Sequence, residues 1–342
     1  MKLVTLKGGG RDGRLAVVSP DCNTAVYTGN LAPNLLQAME RWDQVAPALR
    51  EIDRALRAGT AADAFQLDPN DALAPLPRSF QWLDGSAFAS HGELMAKVFG
   101  IKNPQTDRPL MYQGMSHQFL AARDDVRFRS EADGIDFEGE FAIITDEVPM
   151  GVSSAEAYAH IKLLVLVNDW SLRTLAPVEM KTGFGWVQAK PACSVAPFAI
   201  TPDELGSAWV DGRVALPLHV WLNGGKFGAA NGRAMGVGFH DLIAHAAATR
   251  ELCAGTIIGS GTVSNDNYRQ IGSSCIAERR AIEQVDDGAP RTPYMSFADT
   301  VRMEVVGPQG ETVFGTIDQR AIPYYPLAGA KAPSANWVDE QL

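Results

Sequence analysis

Asp136-Phe137-Glu138-Gly139-Glu140-Phe141-Ala142-Ile143-Ile144-Thr145-Asp146 is the stretch whose reading decides the fold. Read as a strand, its side chains alternate between two faces. Phe137, Gly139, Phe141 and Ile143 share one face; Glu138, Glu140, Ala142 and Ile144 share the other. Two neighbouring carboxylates in a segment rich in Phe and Ile repel each other and lose hydration, so if buried they need a cation or hydrogen-bond donors. A divalent metal suits adjacent carboxylate oxygens. An edge strand with a wet face would carry the same residues without an ion, and this stretch alone leaves both readings open.

Downstream of that strand, Ser153-Ser154-Ala155-Glu156 forms a capping box and predicts a short helix to about His160. It feeds the apolar run Leu163 to Val167, a buried strand by composition, which ends in Asn168-Asp169. Leu216 to Leu222, followed by Asn223-Gly224-Gly225, is a hairpin signal. His240 to Arg250 reads as a helix, Thr256 to Val263 as a Gly-broken strand, and Tyr294 to Val306 and Glu311 to Asp318 as closing strands. Upstream, Lys2 to Leu6, Arg14 to Ser19 and Thr24 to Tyr27 are short strands, and Asn34 to Arg57 is helical, with Pro47 expected to divide it. Three prolines between Asp68 and Pro77 mark a boundary. The expected fold is mainly β with some helices (α+β). A small β-rich N-terminal domain over 1–76 precedes a large sheet-rich roll or barrel over 77–342.

The chain has 342 residues, 46% of them hydrophobic and 20% charged, as in ordinary globular proteins with a sizeable core. A formal net charge of −10 argues against nucleic acid or an anionic membrane as the main partner. Cys22, Cys193, Cys253 and Cys275 form no CxxC pair, which disfavours a structural zinc site. The N-terminus lacks a signal-peptide pattern and no stretch is long enough to span a bilayer, so a soluble cytoplasmic protein is expected. No GxGxxG or Walker motif sits between a strand and a helix, which leaves a nucleotide cofactor unsupported.

Asp169 closes a buried strand, where sites are commonly built, although turn and cap aspartates occupy such positions too. Lys190 lies in apolar surroundings and needs either an anion beside it or a stem that covers apolar neighbours with the amine in water. Asp84 and His91 flank a Gly/Ala/Ser segment.

Taken in order, Asp84 with His91, the Glu138-x-Glu140 strand, Asn168-Asp169-Trp170-Ser171-Leu172-Arg173, Lys190 and Gly259-Ser260-Gly261-Thr262-Val263-Ser264 resemble the fumarylacetoacetate hydrolase family, from about Phe80 to about Thr316. The N-terminal domain is similar to the SH3-like domain of two-domain members. The resemblance implies that Asp84, Glu138, Glu140 and Asp169 hold Mg²⁺ or Ca²⁺, with Mn²⁺ open, and that His91 activates water. It implies that Arg173 and Lys190 meet substrate oxygens or support the site, that Tyr112 contacts substrate, and that Thr262 lines it. Family hydrolases orient the histidine with a glutamate. Ile276 occupies that register here, and Glu278, expected on the same strand face, is assigned the role. Two further departures are Thr174, where an acidic residue is common, and Gly100, with Lys102 nearby, where an arginine reads the distal substrate carboxylate. The implied activity is hydrolysis of a carbon–carbon bond in a β-diketone acid, foremost 4-fumarylacetoacetate to fumarate and acetoacetate in tyrosine and aromatic-acid breakdown. Acylpyruvate hydrolase, oxaloacetate decarboxylase and 2-oxo-acid hydratase stand as family alternatives, and a non-catalytic binding protein with a structural cation as an alternative from another class. The implied partners are a small oxo-acid substrate and a second copy of the chain in a homodimer.

Overall fold

The strand Gly139–Thr145 is buried along its whole length in the computed structural model, which describes residues 1–99 and 108–325. Gly100 and Lys102 lie outside the described residues. The strand pairs antiparallel with Ile161–Asn168 on one side and Ile257–Gly259 on the other. Its side chains alternate as a period of two requires: Phe137, Phe141 and Ile143 enter one core, Ala142 and Ile144 another.

The first core is shared with a second sheet, in which Gly225–Asn231, Pro217–Leu222, Thr300–Val306, Thr312–Pro323 and Val126–Phe128 stand in that order. Leu218, Val220, Met303, Val305 and Ile317 share that core with Phe141, whose ring lies 6.1 Å from that of Phe314. Truncating Phe141 to Ala would cost about 3–5 kcal/mol on the usual scale for a fully buried aromatic. The second core is closed by the helices Leu35–Glu40 and Trp42–Arg57, which bury Leu35, Met39, Trp42, Val45 and Leu49.

The N-terminal strands continue the main sheet. Lys2–Leu6 pairs with Phe198–Ile200, whose Ile200 lies opposite Leu164 of Ile161–Asn168. At the far side of the same sheet, Ile257–Gly259 runs parallel to Trp82–Gly85, and Trp82–Gly85 antiparallel to Met111–Gly114. This order delivers the ends of four strands to one region. The mixed α+β architecture agrees with the expected fold class.

Local chemistry explains where the elements stop. The Asn223-Gly224 turn has φ of 51° and 75°, as the primed hairpin turns require. Ser153 and Glu156 form the reciprocal capping box that starts Ser154–Ala157. The helical stretch 34–57 does divide, but at Arg41 and not at Pro47. Arg41 leaves helical geometry (φ −131°, ψ 32°), whereas Pro47 lies inside Trp42–Arg57. Proline removes one donor from the helix, and the buried stripe through Trp42, Val45, Ala46 and Leu49 offsets that loss. The strand expected from Tyr294 begins only at Thr300, because Asp299 accepts the Ser296 N–H at 2.7 Å and holds a turn with Ala298 at φ 74°.

Candidate metal centre and active site

The Asn-Asp-Trp-Ser-x-Arg segment folds as one unit around Glu138. Asn168 Oδ1 accepts the Glu138 N–H at 3.0 Å, and the Asp169 N–H donates to the Glu138 carbonyl at 2.9 Å. Trp170 buries its ring against Phe128 and donates its indole N–H to Ser194 Oγ at 2.9 Å. Arg173 returns to the opening strand, with Nε 2.8 Å from Asp136 Oδ2 and Nη2 2.5 Å from Glu138 Oε1. Thr174 donates to the Ala132 carbonyl.

Lys190 stands between two acids, its Nζ 2.6 Å from both Glu138 Oε2 and Asp169 Oδ2. Asp169 also receives the Tyr112 hydroxyl at 2.6 Å and the Cys193 thiol at 2.9 Å. Burial alone would raise the Glu138 carboxyl, but the Lys190 and Arg173 charges outweigh it and hold Glu138 well below the usual carboxylate range. Burial likewise works against the Lys190 ammonium, and the Asp169 and Glu138 charges more than offset it.

Asp84, Glu140 and Asp169 are all buried, and each offers an oxygen within 4.8 Å of the others. Asp84 arrives on Trp82–Gly85 and receives the Gly261 N–H at 3.2 Å. Gly259 permits the approach: a Cβ there would overlap Asp84 Oδ1 and stand 3.1 Å from Glu140 Oε2. The strand expected over Thr256–Val263 contracts to Ile257–Gly259, and Gly261 just beyond it turns to φ 77°. Thr262 is buried in the turn that follows.

His91 lies on the helix Ala89–Phe99, and its Nδ1 is 2.8 Å from Glu278 Oε2. Glu278 is the partner expected, but it sits in the first turn of the helix Ile276–Asp287 and not on a strand. The cause is Asp136, whose carboxylate accepts the N–H groups of Ile276 (2.7 Å) and Ala277 (2.9 Å), an anion at a helix N-terminus. Cys275 Sγ caps the same turn by accepting the Glu278 N–H. Asp136 was not singled out from the sequence, although it shares the face of Glu138 and Glu140; Cys193 and Trp186 carried no signal in their spacing.

A family model described as "Fumarylacetoacetate (FAA) hydrolase C-terminal" matches residues 81–321, and one described as "Fumarylacetoacetase N-terminal domain 2" matches residues 1–78. The chain belongs to the fumarylacetoacetate hydrolase family. Within the family it is similar to a 2,4-didehydro-3-deoxy-L-rhamnonate hydrolase of Sphingomonas sp. (strain SKA58), 26% identical over 162 residues. That match takes in 46% of this chain and 54% of the relative, so the chain spans about half the length of the curated relative. The fold is that of maleylpyruvate hydrolase from Sphingobium sp. SYK-6 in complex with manganese (II) ion and pyruvate (TM-score 0.64, 17% identity, 95% of this chain and 100% of that one). A probable 2-hydroxyhepta-2,4-diene-1,7-dioate isomerase from Mycobacterium abscessus is equally similar (TM-score 0.64, 18% identity, the same coverage).

The donor set of this family member fits a hard divalent cation. Neither carboxylate oxygen of Glu140 receives a hydrogen bond from a described residue, although both are buried. Burial, and then the Asp169 charge, push the Asp84 carboxyl up to about 8, and burial with the Asp84 and Asp169 charges holds Glu140 well above the usual range. With all five ionised, the buried carboxylates of Asp84, Asp136, Glu138, Glu140 and Asp169 would face two cations, Arg173 and Lys190, a formal charge of −3. A divalent ion among the oxygens of Asp84, Glu140 and Asp169 would relieve most of it. Among the described residues no helix is long and apolar enough to cross a membrane.

Proposed function

We propose that this protein is a metal-dependent hydrolase that cleaves a carbon–carbon bond in a β-diketone acid, with 4-fumarylacetoacetate the first substrate to test and acylpyruvates the next. The observation that carries the reading is the 2.8 Å contact between His91 Nδ1 and Glu278 Oε2 beside a buried carboxylate cluster. Hydrolysis needs a water activator, which an isomerase or decarboxylase built on the same carboxylates does not. With Glu278 ionised, Nδ1 carries the proton and Nε2 is left as the base.

Asp84, Glu140 and Asp169 would hold Mg²⁺, Ca²⁺ or Mn²⁺, with Glu138 beside them fixed by Lys190 and Arg173. When bound, the cation supplies positive charge opposite the substrate's two oxo groups. Nε2 of His91 takes a proton from water as the water oxygen bonds to the acyl carbon; Glu278 stabilises the imidazolium. As the carbon–carbon bond breaks, its electron pair stays on the leaving fragment, and the proton held by His91 completes that carbon. Lys190, poised between Glu138 and Asp169, balances the negative charge that develops on the substrate oxygens. The hydrolase names of two similar proteins support this chemistry, and the manganese and pyruvate in one of them support a cation and a 2-oxo acid sharing the cleft.

The test is turnover of fumarylacetoacetate and a panel of acylpyruvates by the Mn²⁺-loaded protein, with products identified by NMR. Two fragments are expected; an unbroken carbon skeleton would point to isomerase or hydratase chemistry instead. His91→Ala should lower turnover by about 10²–10⁴-fold while Mn²⁺ binding persists, and retained turnover would exclude His91 as the base.

A further inference from the structure

The loop that leads into Lys190 has three of its amides held by one carboxylate. Phe184 and Val187 are 98% and 83% exposed, so within 183–188 only Trp186 packs its side chain against the core. Gly183 and Gly185 have φ of 73° and 98°, conformations that give the backbone little intrinsic preference for one path. The restraint comes from Glu179, on the helix Ala176–Thr182. Its carboxylate accepts the N–H of Val187 at 3.1 Å to each oxygen, of Gln188 at 2.9 Å and of Ala189 at 3.0 Å. Three amides converging on one carboxylate make charge-assisted bonds, stronger than neutral ones. Thr182 Oγ1 adds the Phe184 N–H at 3.2 Å.

The gathered segment carries Trp186. Its ring meets Tyr112 edge-on at 4.7 Å, and the Lys190 ammonium lies 5.8 Å from Trp186 and 5.5 Å from Tyr112. Tyr112 and Lys190 both donate to Asp169. Contacts therefore run from Glu179 through Trp186 to Tyr112 and Lys190.

We propose that Glu179 is a positioning residue. By gathering the amides of Val187, Gln188 and Ala189 it sets Trp186 and Lys190 against Tyr112, and so builds the aromatic wall on which a planar 2-oxo acid is oriented. The role in orienting substrate rests on the functional reading above; the clamp itself does not.

Glu179→Ala and the conservative Glu179→Gln, which keeps one acceptor oxygen, test both parts. Hydrogen exchange at Val187, Gln188 and Ala189 should be about tenfold faster or more in Glu179→Ala and intermediate in Glu179→Gln, with the melting temperature showing that both fold. Unchanged protection overturns the clamp. Calorimetry with Mn²⁺ alone should give unaltered affinity in both variants, while pyruvate binding to the Mn²⁺-loaded protein weakens about tenfold in Glu179→Ala and recovers in part in Glu179→Gln. Lost protection with undiminished pyruvate affinity overturns the positioning role and leaves a structural clamp. Wild-type protein that binds neither Mn²⁺ nor pyruvate sinks the functional reading itself, and the role of Glu179 in orienting substrate with it.

Discussion

Glu138 immediately precedes the strand Gly139–Thr145 that carries Glu140, yet their surroundings are opposite. Glu138 is enclosed by the chain's own cations, Arg173 on one oxygen and Lys190 on the other. Glu140 is fully buried, has acids for neighbours, and receives no hydrogen bond from a described residue. The two halves of the Glu-x-Glu pattern therefore divide the work. One is neutralised by the chain's own cations when the chain folds; the other has no cation of the described residues beside it.

The largest effect that could break this contrast is expected at Glu140. Glu140→Gln should abolish Mn²⁺ binding and lower turnover on the order of 10³-fold. In the metal-free protein the same change should raise the melting temperature at neutral pH, because folding no longer has to protonate an acid that burial and the Asp84 and Asp169 charges hold well above the usual range. A lower melting temperature would show that Glu140 is already compensated.

Glu138→Gln should act with the opposite sign. It leaves Lys190 and Arg173 buried without a full counter-charge, a loss of about 3–5 kcal/mol on the scale of broken buried ion pairs. Urea denaturation in the presence of EDTA measures this. Equal responses of the two variants would erase the distinction between them.

The smallest effect is in pH. Folding raises the Asp84 carboxyl from 3.8 to about 8, so the folded chain holds that proton more tightly than the unfolded chain does. The stability this contributes is full below the ordinary carboxylate range and drains away as pH climbs toward about 8. Thermal melts of the metal-free protein should therefore fall across that window. Saturating Mn²⁺ should flatten the decline, and its binding should release protons. A metal-free melting temperature that rises across the window would contradict the assignment.

Much of the frame was legible in the residues. The alternation from Phe137 to Ile144, the Asn223-Gly224 turn and the Ser153/Glu156 box each depend on neighbours within a few positions, and each appears as read. The break at Arg41 was not, because the buried stripe that carries the helix through Pro47 is a tertiary contact. Glu278 lies 2.8 Å from His91 but on a helix where a strand was expected, and that helix starts where Asp136 captures two amide N–H groups far along the chain. Cys193 against Asp169 and the clamp by Glu179 follow from no spacing pattern.

By itself the sequence determined which side chains share a face, where the chain turns, and that acids outnumber cations around the Glu-x-Glu strand, because these follow from backbone geometry and side-chain inventory over short range. Only the tertiary structure decided which acid is paired and which is left open. Coulomb energy depends on distance through space, and Lys190, Arg173 and Asp84 come to their acids from distant parts of the chain.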